Sequence, residues 1–153
     1  MKGSVETIRA TIQKLKNGYS DDELKALRRK EVIPGDFWNR FSDDLFNSTI
    51  VFHREVPGMP SFGGADIIYT FAFRYTLCAY ARAVDWTSEG GYENTPEARL
   101  MNDYTDMAYA AYATFYDGLL TEDKKLEEIY TFAMRLMRRV YLKAATLSAD
   151  EPI

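Results

Sequence analysis

The stretch ADIIYTFAFRYTLCAYARAVD, residues 65–85, decides the fold. Wound as a helix it is apolar nearly all round. Ile67, Ile68, Phe71, Tyr75 and Cys78 lie on one side. Tyr69, Phe73, Leu77, Tyr80 and Val84 lie on the other, and the polar strip holds only Thr70, Arg74 and Asp85. A helix without a broad polar face is one that other helices surround. A membrane span is the competing reading, because 67–84 is also the longest apolar run. Arg74 in its middle and Arg82 near its end argue against it, since each costs about 2.5–3.5 kcal/mol at a bilayer centre. The stretch therefore predicts the central helix of an all-α bundle, with no membrane.

Turn signals divide the flanking sequence into five further helices. Residues 4–16 place Val5, Ile8, Ile12 and Leu15 on one side, and Asn17-Gly18 ends the run. Ser20-Asp21-Asp22-Glu23 has the spacing of a capping box. It opens a second helix with Leu24 and Leu27 as apolar positions and Arg28, Arg29 and Lys30 in the last turn, where cations suit the dipole. Ile33-Pro34-Gly35 breaks the chain. Asp36 is expected to cap a third helix bearing Phe37, Phe41 and Leu45. Residues 49–52 are β-branched and aromatic, so helix and short strand both remain open there. VPGMPSFGG, residues 56–64, reads as a loop.

Beyond a second loop at 88–94, Thr95-Pro96-Glu97 predicts a helix start at Thr95. That fifth helix is expected to run to Asp117, with Leu100, Tyr104, Met107, Ala111 and Phe115 as its core stripe. A sixth is expected from Thr121, with Leu126, Ile129, Ala133, Leu136, Val140, Ala144 and Leu147 on one face. Asp150-Glu151-Pro152-Ile153 reads as a tail. The 153 residues are of a size for one domain, taken here as 1–153.

Composition narrows the function. The net charge of −4 gives no basic footprint, so nucleic acid is not expected as the main partner. One cysteine, Cys78, cannot form an internal disulfide, and residues 1–6 carry no apolar signal core, so a cytoplasmic location is expected. With one histidine, His53, neither a Cys/His zinc site nor a paired Glu-x-x-His di-iron site can be assembled within the chain. No cofactor motif is present: Gly63-Gly64 lacks the other glycines and the lysine of phosphate-binding loops. Ser61 and Ser88 lack a nucleophile elbow, and no spacing pairs His53 with Cys78.

Seven of the eleven tyrosines fall in the fourth and fifth helices. Tyr109, Tyr112 and Tyr116 form a stripe apart from the aliphatic one. A large ring with a polar tip suits protein interfaces. Met59 and Phe62 in the first long loop, and Arg135, Arg138 and Arg139 on the sixth helix, extend the candidate interface. The principal expectation is a non-enzymatic protein-binding factor, such as an inhibitor, immunity or adaptor protein or a small subunit of an assembly, meeting another protein or a second copy of itself, with no cofactor. Nothing in the sequence makes an enzyme the leading reading.

Two alternatives rest on other residues. Asp103 and Asp106 project from one helix face, and Glu127 and Glu128 stand on the next helix. Such carboxylates can hold Mg²⁺ for a hydrolase of phosphorylated substrates, with Arg74 on the phosphate. Arg74 otherwise needs a carboxylate partner, for which Asp85, Asp66 or an acid of the fifth helix is expected. Arg99 is placed to pair with Asp103. The second alternative is a nucleic-acid-contacting subunit of a larger complex, through the basic end of the sixth helix.

Overall fold

A computed structural model describes the backbone of residues 2–33, 35–55, 58, 61, 64–88, 95–116 and 118–149, and the side chains of 9–33, 35–55, 58, 61, 66–87, 95–116 and 118–141. Within these residues the chain is all-helical, with six α-helices and no strand. They are α1 (Lys2–Gly18), α2 (Asp21–Arg29), α3 (Phe37–Glu55), α4 (Phe71–Ser88), α5 (Glu97–Ala113) and α6 (Lys124–Ala149). Helix α4 packs against each of the other five, the place its all-round apolar surface requires.

The helix ends show where local chemistry overrides pattern. At α2 the capping box forms as its spacing predicts. Glu23 N donates to Ser20 Oγ at 3.2 Å, and Ser20 N donates to Glu23 Oε2 at 2.8 Å. Residues 49–52 are helical, inside α3, which removes the strand alternative. Buried Thr49 donates to the Leu45 carbonyl at 2.8 Å, so its hydroxyl is satisfied within the helix. The central helix is shorter at its start than 65–85. Gly64–Tyr69 is a 3-10 turn, and α4 begins only after Thr70. The Thr70 hydroxyl donates to the Ile67 carbonyl at 2.7 Å and accepts from Phe73 N at 3.1 Å, ending one helix type and starting the other.

Three further boundaries differ from expectation. Pro96, not Thr95, stands at the α5 cap position, without a side-chain cap bond. Helix α5 stops at Ala113 rather than Asp117. Thr114 folds its hydroxyl onto the Ala111 carbonyl at 2.7 Å, and the next two amides bond three residues back. This tightened turn rotates Phe115 off the core stripe and leaves it 45% exposed. Helix α6 begins at Lys124, because Asp123 Oδ1 accepts from Lys125 N and Leu126 N at 2.9 and 3.2 Å. Thr121 supports that cap instead, accepting from Asp123 N at 3.1 Å.

The core is aromatic where α3 meets α4. Phe37 stacks on Phe41 at 5.5 Å, and Phe41 meets Tyr80 edge-on at 5.6 Å. Leu77, Leu100, Met107, Ile129 and Leu136 fill the side toward α5 and α6, all at 1% exposure or less. The described part of the α6 stripe, Ile129, Ala133, Leu136 and Val140, is buried as its spacing implies, with Leu126 half-buried. No helix among the described residues is long and apolar enough to cross a membrane.

Candidate functional site

The C-terminal half of α5, the turn that follows it and the 3-10 turn before α4 present aromatic rings to solvent. Tyr69, Tyr109, Tyr112 and Tyr116 are each more than half exposed, and Phe115 nearly so. Their backbone positions explain this. Tyr109 and Tyr112 are three residues apart on the face of α5 away from Met107, Ala110 and Ala111, which enter the core, and Tyr116 follows in the tightened turn beyond Ala113. Two of these rings, Tyr112 and Tyr69, rest on neighbouring rings. Tyr112 lies 4.6 Å from Phe71, Phe71 6.0 Å from Tyr75, and Tyr69 6.4 Å from Tyr141. Single exposed rings are ordinary; a shared patch of them is not.

Arg74 sits beneath this patch and is 6% exposed. No carboxylate pairs with it among the described residues. Among the described residues its contacts are neutral: the Ile68 carbonyl at 3.2 Å from Nε, the Met137 sulfur, and the Tyr141 hydroxyl at 2.7 Å from Nη2. The guanidinium also faces the Phe115 and Tyr141 rings, at 5.0 and 5.6 Å. Ring faces carry negative charge density and take the place of a counter-ion. Burial pushes the Tyr141 hydroxyl above its ordinary pKa, against the pull of Arg74. Nε, Nη1 and Nη2 of Arg74 thus each have a protein partner among the described residues.

The four acids of the metal reading separate into two places. Asp103 is fully buried, and its partners are Arg82 of α4 and Lys125 of α6 rather than Arg99. Lys125 also reaches Asp106 Oδ2 at 2.6 Å, so one ammonium joins both aspartates. Burial works against the Lys125 charge, and the hydrogen bonds to Asp103 and Asp106 outweigh it, leaving its pKa raised. Glu127 and Glu128 line a different hollow with Arg28 and Lys30. Among the described residues no three His, Cys, Asp or Glu side chains stand together as metal ligands. Arg82, which completes the buried network, was read from the sequence only as an argument against a membrane span, not as a partner of Asp103. Its place inside an apolar helix is the signal that marks it as needing a partner.

Arg135, Arg138 and Arg139 stand together on α6, facing the end of α2. Arg135 lies over the Phe132 ring at 4.9 Å and Arg139 over Trp38 at 5.7 Å. Met59 and Phe62 lie outside the described residues. Cys78 is fully buried, and burial pushes its thiol well above the ordinary range, which keeps it unreactive. His53 is buried near the end of α3. A separate groove of about 360 Å³ runs between α1, α3 and α4, with Lys14, Val51, Phe52 and Tyr75 on its walls. No protein-family model, no curated protein and no solved structure matches this chain.

Proposed function

We propose that the chain is a non-enzymatic protein-binding factor that docks through the aromatic residues of the end of α5, the turn after it and the 3-10 turn before α4. The observation that carries this is the shared exposure of Tyr69, Tyr109, Tyr112 and Tyr116, with Phe115 among them. Tyrosine rings of this kind enrich the centres of protein interfaces, where the ring is buried and the hydroxyl finds a partner. Tyr112 rests against Phe71 and Tyr69 against Tyr141, which lowers the entropy these two rings lose when a partner covers them. Both oxygens of Asp103 are engaged by cations, so no observation favours the Mg²⁺ hydrolase over this reading.

The test is association of the full chain with and without Tyr109→Ala, Tyr112→Ala and Tyr116→Ala. Light scattering reads self-association, and quantitative capture from source lysate reads a second protein. The expected result is one stoichiometric partner, a second copy included, lost on the triple change while helicity and thermal midpoint are kept. Equal association of both forms removes the aromatic face from the interface.

A further inference from the structure

A second surface lies where the end of α2 meets α6. Leu27, Trp38, Phe132 and Leu136 form the floor of a cavity of about 240 Å³. Its rim holds four cations, Lys30, Arg135, Arg138 and Arg139, against one carboxylate, Glu31. A neighbouring hollow of about 340 Å³, which shares Lys30, Phe132 and Arg135 with it, adds Arg28 but also the acids Asp85, Glu127 and Glu128, so the excess of cations belongs to the first cavity. This concentration of positive charge stands on a chain whose net charge is −4.

Two details bear on what the cavity takes. Arg135 has a buried Nε with no hydrogen-bond partner among the described residues, and burial lowers its pKa with only the charge of Asp85 opposing. Lys30 is the one non-glycine residue with a left-handed backbone among those described, at φ 65°, in a helix-ending position where glycine is the usual choice.

Resting on the protein-binding reading above, we infer that this cavity receives an acidic segment of the partner protein, anchored by one large apolar side chain. The cations supply the charge complementarity, and arginine forks match carboxylates two bonds at a time. The floor supplies the anchor site. At about 240 Å³ the cavity is below the usual range for a whole small-molecule ligand, roughly 300–1,000 Å³. Single-stranded nucleic acid fits less well. Arg135 and Arg139 already lie over the Phe132 and Trp38 rings, and base recognition on single strands needs such ring faces free.

The experiment is selection of a random dodecapeptide display library on the immobilised full chain, followed by fluorescence polarisation with the recovered peptides. The expected peptides carry two or more Asp or Glu around one Leu, Phe or Trp. They weaken at least tenfold on Arg138→Glu with Arg139→Glu, two exposed positions. They also weaken on Lys30→Gly, which keeps or raises the thermal midpoint, so a folding defect is not the cause. Recovered peptides without acid enrichment, or equally strong binding to both variants, overturn the inference. So does binding of labelled oligothymidylate at these residues with no acidic peptide recovered. Loss of association in the tyrosine variant, with nothing acidic selected at this cavity, retains the protein-binding reading and ends this one.

Discussion

Arg82 and Asp103 form a buried ion pair, their side chains 7% and 0% exposed. Nε and Nη2 of the guanidinium donate to the same carboxylate oxygen at 3.3 and 3.2 Å, joining the middle of α4 to α5. Lys125 holds the other oxygen from the first turn of α6, so three helices meet on one carboxylate. Trp86 covers the far side of the guanidinium at 4.8 Å.

Breaking this pair from one side strands a charge. Asp103→Ala leaves Arg82 buried opposite nothing, and is expected to cost about 3–5 kcal/mol. Replacing both partners, Arg82→Met with Asp103→Leu, removes both desolvation costs and is expected to recover most of that loss. Urea unfolding of the two variants checks the order. A single change no worse than the double one contradicts it.

Stability is expected to fall on the alkaline side. The ordinary values are 9.0 for Cys78 and 10.0 for Tyr19, Tyr75 and Tyr80, and burial is the first cause raising each in the fold. A raised folded pKa means the unfolded chain releases its proton first. The stabilisation is full below the unfolded values and is lost as pH rises through about 9 and beyond. Phenolate absorbance of the buried tyrosines and loss of helical ellipticity are expected to rise together above pH 10. The Cys78 thiol is expected to react with a disulfide reagent only at the rate of unfolding.

The capping box gives a smaller, acid-side effect. Ser20→Ala removes the bond to Glu23 N and is expected to cost about 1 kcal/mol. The Ser20 backbone N–H is the main cause holding the Glu23 carboxyl below its ordinary 4.5, with Arg40 adding to it. A lowered carboxylate pKa stabilises above the unfolded value and is lost as pH falls below about 4.5. Glu23→Gln is therefore expected to flatten the acid limb of the thermal midpoint against pH. An unchanged limb removes Glu23 as its source.

Much of the fold was legible in residues 65–85, because a helix apolar on every side has only one place to go. The Ser20–Glu23 box and the α6 stripe were legible for the same reason: their cause lies within one or two turns. What the sequence hid depends on partners far along the chain. Asp103 and Arg82 are 21 residues apart, and Lys125 comes from the next helix, so the D-x-x-D spacing of Asp103 and Asp106 left a metal site open as an alternative instead of pointing to this pair. The end of α5 was misjudged because Thr114 turns the chain before Gly118 can. The exposure of the tyrosine stripe followed its helical spacing, while the basic groove needed α2 to bring Lys30 to α6.

Arg74 and Asp103 are both buried charges, yet removing them is expected to cost different amounts. Arg74 has carbonyl, thioether, phenol and ring faces around it among the described residues, and no carboxylate. Arg74→Met therefore leaves no stranded charge behind, and keeps an unbranched apolar stem in the same space. Its cost is the unmet Ile68 carbonyl and the lost bond to Tyr141, about 1–3 kcal/mol, below that of Asp103→Ala. The same change frees the Tyr141 hydroxyl from the one cation pulling its pKa down, so that pKa is expected to rise further. Chemical denaturation and an NMR titration of the Tyr141 ring read the two effects separately. A loss for Arg74→Met as large as for Asp103→Ala, with Tyr141 unmoved, means that Arg74 is held by a counter-charge rather than by its neutral cage.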